Sequence, residues 1–284
     1  MAVVWAVACL IFSAMNDLLF KFYARKPRPQ GPFVSVVGIS WLICCGLFFL
    51  RTPPANWQAT LLWSVISGIF SVVGNLLMLD AMKSLDAGVC STIYRLNLVP
   101  VTIGAALLLG ENITLMQYIG IGCACCAVIA FLPKRSSNGK MAMAAFICML
   151  IASLMRAGLG LSYRYGFMHG ADENWVVAID SFFWIIGGMV YMFCRERKMP
   201  LPADDRRKMW RYGLISGVLV TGITITMAQA LLLGNASVVL PIAQMSFLLT
   251  GILGMILLKE KLTLMRAIAL FFGVAAILLL TIKF

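Results

Sequence analysis

Long apolar runs alternate with short polar breaks along the whole sequence. Most runs approach the roughly 20 residues that an α-helix needs to cross a hydrocarbon core about 30 Å thick. The breaks contain turn-forming residues, as in KPRPQGP and RTPPANW. The pattern therefore predicts an all-α integral membrane protein with ten transmembrane helices. The predicted segments are residues 2–22, 33–50, 57–82, 87–109, 113–132, 141–163, 175–194, 210–233, 237–258 and 263–282.

The sequence also contains an internal repeat. Two stretches of the first half, AMKSLDAGVCSTI and LLLGENITLMQ, align without gaps with ALLLGNASVVLPI and ILLKEKLTLMR of the second half. In this register Glu111 falls on Glu260, 149 positions later. Each half holds five predicted helices, and an odd number places the second half in the membrane in the opposite orientation. Such inverted repeats are typical of secondary transporters, which bind substrate near the bilayer midplane. We expect one five-helix repeat in residues 1–135 and the other in residues 136–284.

The composition fits a chain embedded in lipid. Of its 284 residues, 62% are hydrophobic and 12% are charged, whereas soluble domains carry about 25% charged residues. The net charge of +12 does not indicate nucleic acid, because basic residues in the loops of a membrane protein set its topology. We expect a multi-pass protein of the cell membrane, plasma or inner, with the lipid bilayer as a partner and no nucleic-acid partner.

The CACC motif at residues 123–126 has the residue type of a metal site but not its geometry. On a helix the three thiols point in different directions, and no histidine or carboxylate neighbours them. The sequence therefore predicts no metal site, and no motif in it requires a cofactor.

The loop charges predict the orientation of the chain. The N-terminus lies on one side of the membrane, which we call side one; the other we call side two. Seventeen loop lysines and arginines fall on side two, against three (Arg51, Arg164 and Lys283) on side one. Because positive loops stay in the cytoplasm, side two is predicted to be cytoplasmic and both termini outside.

Several polar residues lie inside the predicted spans. An ionisable group at the centre of a membrane helix costs about 2.5–3.5 kcal/mol on insertion scales, so each needs a partner or a hydrated cavity. By helical rise, Arg95 lies at the depth of Asp17 (or Asp80), and Arg156 at the depth of Asp180. We therefore treat two ion pairs as hypotheses, Arg95 with Asp17 or Asp80 and Arg156 with Asp180.

Arg95 is the residue that we expect to bind substrate. A guanidinium in a low-dielectric cavity suits a carboxylate or phosphate group. Its counterpart in the repeat is Gln244, so both halves present a polar side chain at the same position. The predicted substrate-binding residues are Arg95, Tyr94, Asn97, Gln244, Asn16 and Asn75. The candidates for coupling or ion pairing are Asp17, Asp80, Arg156 and Asp180.

The motifs AMKSLDAGVCSTI, LLLGENITLMQYIG and ILLKEKLTLMR resemble the drug/metabolite transporter superfamily, EamA type. The resemblance covers nearly the whole chain and implies ten spans in two homologous halves. In that family a small residue opens the fourth helix of each repeat and a glutamate caps its far end. The matching residues are Ala87, Gly88 and Glu111 in the first half, and Ala236, Ser237 and Glu260 in the second.

These observations predict a secondary transporter and not an enzyme. We expect an exporter or exchanger of a small metabolite, an amino acid or another carboxylate-bearing compound, with a proton or a counter-substrate as the second solute. No Walker motif is present, so ATP is not the direct energy source. One alternative is proton-coupled efflux of cationic drugs, which requires an unpaired acid in the cavity. The other is a membrane enzyme or scaffold that acts on lipid-linked substrates, for which clustered acids, histidines or metal ligands are needed.

Overall fold

The structure, a computed structural model, describes residues 1–48, 53–109, 113–130, 139–197, 199, 201–233, 242–259 and 263–281. These residues form helices joined by turns, with no β-strand among them. The helices are α1 (Ala2–Ala24), α2 (Gln30–Phe48), α3 (Trp57–Met82), α4 (Ala87–Arg95), α5 (Leu98–Leu109), α6 (Leu115–Ala130), α7 (Gly139–Met168), α8 (Glu173–Tyr191), α9 (Ala203–Leu233), α10 (Ser246–Leu258) and α11 (Leu264–Thr281). A π-helical turn, Met192–Glu196, extends α8.

Five helices in the described part of the chain are long and apolar enough to cross a membrane. They are Ala2–Ala24, Gln30–Leu47, Trp57–Met82, Ala142–Met168 and Glu173–Glu196. Three further apolar helices are shorter: Leu115–Ala130, Ile242–Leu258 and Leu264–Leu280. The all-α fold with several apolar helices is therefore confirmed, and the count of ten spans stays a prediction.

The prediction of a single helix over residues 87–109 is wrong, because the chain forms two helices there. α4 ends at Arg95 and α5 begins at Leu98. Pro100 explains the break, since its nitrogen has no hydrogen to donate to the carbonyl of Leu96. The N–H of Val99 bonds that carbonyl instead, at 3.0 Å.

Most of the helix packing joins the first five predicted spans to the last five. α1 packs on α9, α3 on α7, α2 on α8, α4 on α10 and α6 on α11. In addition, α2 packs on α9 and α3 on α8. The α2–α8 contact is close: a Cβ added at Gly188 would lie 2.5 Å from the carbonyl oxygen of Gly31. Small residues at such crossings let helices in a membrane approach to backbone contact.

Side-chain hydrogen bonds run along the interface between the parallel helices α3 and α8, which we call the α3–α8 seam. The bonds are Asp172 N–H to Thr60 Oγ1 (3.0 Å), Ser67 Oγ to Asp180 Oδ1 (2.7 Å), Trp184 Nε1 to Ser71 Oγ (2.8 Å) and Tyr191 hydroxyl to Asp80 Oδ2 (2.6 Å). Hydrogen bonds between membrane helices add to packing and fix the register of one helix on the other. The seam therefore ties a helix of the first half to a helix of the second over most of their length.

The bundle is closed by polar contacts at the end where α1 finishes. The buried carboxylate of Glu196 accepts hydrogen bonds from the backbone N–H groups of Gln30 and Gly31, both at 2.8 Å. These groups begin α2, where the helix dipole favours a negative charge. Lys21 donates to the carbonyl of Met82 at 2.7 Å, at the end of α3. The contacts join α1 to α3 and α2 to α8 at this end.

Arg28 adds an ion pair at the same end. Its Nε lies 2.7 Å from Oδ1 of Asp205, which is in the first turn of α9. The hydrogen bond and charge of Arg28 lower the pKa of the Asp205 carboxyl from its usual value. The pair therefore links the loop after α1 to the start of α9.

Candidate substrate-binding site

A cavity of about 360 Å³ lies between the helices of both halves. Residues of α1, α2, α3, α4, α7, α8 and α9 line it. Glu173 and Asn174, which are exposed at the start of α8, border its mouth. Asp17 and Arg95 line it deeper in the bundle, where both side chains are buried. A pocket of this size and depth suits a small molecule that is largely enclosed.

The break between α4 and α5 places Arg95 at a helix end inside the bundle. The backbone leaves the helical conformation at Leu96 (φ −72°, ψ 4°). The side chain of Asn97, with its amide nitrogen oriented to donate, bonds the carbonyls of Tyr94 at 3.2 Å and Arg95 at 3.1 Å. An unsatisfied carbonyl in an apolar interior costs several kcal/mol. Asn97 therefore stabilises the end of α4 and does not line the cavity.

Asp17 connects three helices through one carboxylate. Its Oδ2 lies 3.5 Å from Nη2 of Arg95 and accepts a hydrogen bond from the Ser91 hydroxyl of α4 at 2.6 Å. The Thr250 hydroxyl of α10 lies 3.5 Å from the same oxygen. Of the two aspartates proposed for Arg95, Asp17 is thus the one with which it pairs.

Arg156, on α7, presents its guanidinium to the cavity. Its Cζ lies 5.9 Å from the ring centroid of Tyr94, within the range of a cation–π contact. No carboxylate in the described ranges forms an ion pair with it. Two nearby donors, Nε of Arg95 and Nε1 of Trp41, are also without an acceptor among the described residues. Of the two arginines and two carboxylates that line the cavity, Asp17 lies beside Arg95 and Glu173 lies at the mouth, so Arg156 is the arginine that neither carboxylate pairs with.

The predicted ion pair between Arg156 and Asp180 is wrong. Asp180 is fully buried, and its two oxygens accept hydrogen bonds from Ser67, at 2.7 Å, and from the Tyr163 hydroxyl. These two hydroxyls occupy the carboxylate, because Asp180 points toward α3 and Tyr163. Arg156 lies instead over Tyr94.

Of the three asparagines predicted in the site, Asn16 and Asn75 line the cavity, as Tyr94 does. Asn16 accepts a hydrogen bond from the Ser216 hydroxyl at 2.6 Å, which links α1 to α9. Asn75 donates to the carbonyl of Ser71 at 2.8 Å, within α3. Each asparagine keeps further hydrogen-bonding capacity, since a primary amide has two donors and an acceptor with two lone pairs.

Two other predicted residues lie outside the cavity wall. Asp80 pairs with Lys83 at 2.8 Å, at the closed end of the bundle. Gln244 precedes α10, and its buried Oε1 has no donor among the described residues. Glu111 and Glu260 lie outside the described residues, as does the predicted boundary between residues 135 and 136.

The sequence interpretation missed an aromatic wall of the cavity. Tyr163 and Phe167 share one face of α7 with Arg156 and Leu159, and all four line the cavity. The spacing of three or four residues between successive members is the helical period, so the face could have been found by extending the pattern from Arg156. Trp184, on α8, has no such signal, because only tertiary packing brings it to the cavity.

The described residues contain no cluster of histidine, cysteine and acidic side chains that could hold a metal ion. The polar groups of the cavity are instead arginines, amides, hydroxyls, one deeply placed aspartate and the carboxylate of Glu173 at the mouth. Such a set can bind and orient a small polar molecule by charge and hydrogen bonds.

Comparison with known proteins identifies the family. The sequence profile of the EamA-like transporter family matches residues 1–132 and again residues 143–282. A crystal structure of a protein aligns with 98% of this chain and 95% of its own chain, at 15% identity and a TM-score of 0.63, which is a likeness of fold alone. No curated protein matches the sequence. The chain therefore belongs to the EamA-like transporter family of the drug/metabolite transporter superfamily, whose members are membrane transporters of small molecules and not enzymes.

Proposed function

We propose that this protein is a secondary transporter of a small carboxylate-bearing metabolite, such as an amino acid, and that it works by alternating access. The carboxylate of the substrate binds Arg156, with Arg95 as a second donor that it shares with Asp17. Asn16, Asn75 and Tyr94 contact the polar groups of the substrate, and the aromatic wall packs against the rest.

The observation that carries the proposal is the uncompensated charge of Arg156. A guanidinium among apolar helices is costly unless an anion or water meets it. Asp17 already lies beside Arg95, and Glu173, the other carboxylate of the described wall, forms no ion pair with Arg156. A substrate carboxylate would supply it through charge-assisted hydrogen bonds, often bidentate ones. A cationic substrate would instead add to the positive charge.

Two features support an inverted repeat of residues 1–135 and 136–284. The helix break at Leu96 (φ −72°, ψ 4°) recurs at Met245 (φ −69°, ψ 3°), at the 149-residue offset of the sequence repeat. The packing is also reciprocal: exchanging each helix for its counterpart in the other half turns α1–α9 into α7–α3, and α2–α9 into α8–α3. Both features are expected of two halves related by a pseudo-two-fold axis.

Alternating access requires a cavity that opens to one side at a time. In the structure the mouth lies at Glu173, on side one, while Glu196 and Lys21 join helices at the side-two end. With both termini outside the cell membrane, as the loop charges predict, this conformation opens to the outside. Breaking the side-two contacts would be the step that opens the cavity to the cytoplasm.

The test is counterflow into proteoliposomes with labelled amino acids, phosphorylated metabolites and organic cations. We expect wild type to exchange an anionic or zwitterionic compound. Arg156→Gln should lower its uptake about tenfold or more, since a hydrogen bond to a charged group contributes about 1.5–3 kcal/mol. Arg156→Lys keeps the charge but loses the bidentate geometry, so its uptake should lie between that of wild type and that of Arg156→Gln. Arg266→Gln is the control, because Arg266 pairs with Asp86 at the surface.

Other outcomes would contradict the proposal. Uptake of cations alone, unchanged in Arg156→Gln and Arg95→Gln, would favour the efflux of cationic drugs. Uptake that survives Arg95→Gln but is abolished by Asp17→Asn would make the carboxylate the recognition element.

A further inference from the structure

Asp180 is a carboxyl group buried in the bundle without a counter-charge. Its residue is 0% exposed, and no lysine or arginine in the described ranges forms an ion pair with it. Two hydroxyl groups, those of Ser67 on α3 and Tyr163 on α7, donate to its oxygens. A charge buried in this way costs several kcal/mol, and a neutral asparagine could make hydrogen bonds at the same place. The position therefore calls for a role that only an ionisable group can serve.

The Tyr163 hydroxyl connects Asp180 to the cavity. Tyr163 lines the cavity, and Asp180 lies behind it, outside the lining. Tyr163 also stands on the same face of α7 as Arg156, two helical turns away. The hydroxyl of tyrosine both donates and accepts hydrogen bonds, so it can pass a proton without carrying a lasting charge.

We propose that Asp180 is a proton-binding site, loaded from the cavity through Tyr163, and that a proton moves together with the anionic substrate. This inference rests on the proposed function. In the loading step a hydronium ion in the cavity gives a proton to the oxygen of Tyr163 and becomes water, while the phenolic proton moves to Oδ2 of Asp180. One O–H bond forms on the aspartate, the bond on the tyrosine is replaced, and the net change is one proton taken from the cavity.

Electrostatics couples the proton to the substrate. The charged and titratable groups that face the Tyr163–Asp180 pair are Arg156 from α7 and the Cys45 thiol from α2, while α3 contributes the neutral Ser67 hydroxyl. With the cavity empty, the positive charge of Arg156, which acts on Tyr163, attracts the negative charge that the hydrogen-bonded Tyr163–Asp180 pair carries when it is deprotonated. A substrate anion on Arg156 cancels that attraction, so that the carboxyl binds a proton more readily.

Asp17 is less suited to this role. It lies 3.5 Å from Arg95 and accepts a hydrogen bond from Ser91 at 2.6 Å, so its counter-charge is in place whether or not substrate is bound. Asp180 is therefore the carboxyl whose charge changes during transport, and Asp17 the one that holds Arg95.

Infrared difference spectroscopy on the purified protein in lipid tests the proton site without a substrate. Titrating pH should produce a reversible protonated-carboxyl band that is present in wild type and Asp17→Asn and absent from Asp180→Asn. Ser67→Ala and Tyr163→Phe form a matched pair, because each removes one hydroxyl from Asp180. Both should keep the band, and only Tyr163→Phe should slow its exchange in deuterated water. A titration of Asp180→Asn that superposes on wild type would overturn the proposal.

The second arm measures uptake of a mixture of the twenty labelled protein amino acids, with and without a pH gradient. We expect the gradient to stimulate uptake in wild type and Ser67→Ala, and to give no stimulation in Asp180→Asn or Tyr163→Phe. Uptake that the gradient still stimulates in Asp180→Asn would contradict proton coupling. So would a wild type that exchanges label but whose uptake the gradient does not stimulate. Wild type that exchanges no amino acid would contradict the proposed substrate instead, and would leave the infrared result standing as a separate test.

Discussion

Single side chains at the centre of the bundle each serve more than one helix. The carboxylate of Asp17 contacts Arg95, Ser91 and Thr250, so α1, α4 and α10 meet at one oxygen atom. Removing one partner of a buried ion pair leaves the other charge uncompensated, which costs more than losing both. The Arg95–Asp17 pair should therefore behave as a unit.

This expectation can be tested by a double-mutant cycle. Asp17→Asn should lower the free energy of unfolding by about 3–5 kcal/mol, because it strands the Arg95 guanidinium. Adding Arg95→Gln should recover part of that loss. The measurement is thermal or denaturant unfolding in detergent micelles, with the surface variant Arg266→Gln as the control. Losses that simply add in the double variant would mean that the two side chains do not interact.

The sequence located the polar residues of the site but did not fix all their partners. Depth along a helix follows from counting residues, and it placed Arg95 and Asp17 at a common level. The same argument failed for Arg156 and Asp180, because depth does not determine the direction in which a side chain points around the helix axis. That direction depends on the packing of α7, α3 and α8, which lie far apart in the sequence.

At the scale of helices, local chemistry explains some features and tertiary packing explains others. The end of α4 follows from Pro100, which removes a hydrogen bond to the carbonyl of Leu96. The matching break at Met245 has no such cause, since the residue four positions later is Leu249. The predicted spans agree with most helices to within a few residues, and the second break could not be predicted because nothing local specifies it.

The contact between α2 and α8 allows a prediction with an internal control. Gly188→Ala should destabilise the protein, because its Cβ would lie 2.5 Å from the Gly31 carbonyl oxygen, a backbone atom that cannot move alone. Gly46→Ala, on α2, places a Cβ that meets no described atom within 4 Å and should be neutral or stabilising by up to about 1 kcal/mol. The measurement is thermal stability in detergent, monitored by size-exclusion chromatography, which should distinguish the two variants. Equal stability of the two variants would show that the contact is looser than the structure indicates.

At the scale of the whole molecule, the cavity mouth and the polar closure lie at opposite ends of the bundle. Asn174 marks the mouth, and the exposed thiol of Cys194 lies near the other end of α8. Which end faces the cytoplasm decides whether the structure opens outward or inward. The loop charges predict that the mouth faces outward.

Labelling of cysteines in intact cells tests that orientation. In a variant that keeps only the cysteine of Asn174→Cys, a membrane-impermeant maleimide should react from outside. A variant that keeps only Cys194 should react after the cells are permeabilised. The reverse pattern would show that both termini are cytoplasmic and that the structure opens inward.

The α3–α8 seam has a consequence for how the sequence can change. Ser67 bonds Asp180 and Trp184 bonds Ser71, in both cases across 113 positions of the sequence and between the two halves. Separated, the Trp184 indole N–H and one oxygen of the Asp180 carboxyl group would lose the partners that the other half provides, which is costly in lipid. We therefore expect that a polar residue gained or lost on one helix of the seam requires a compensating change on the other.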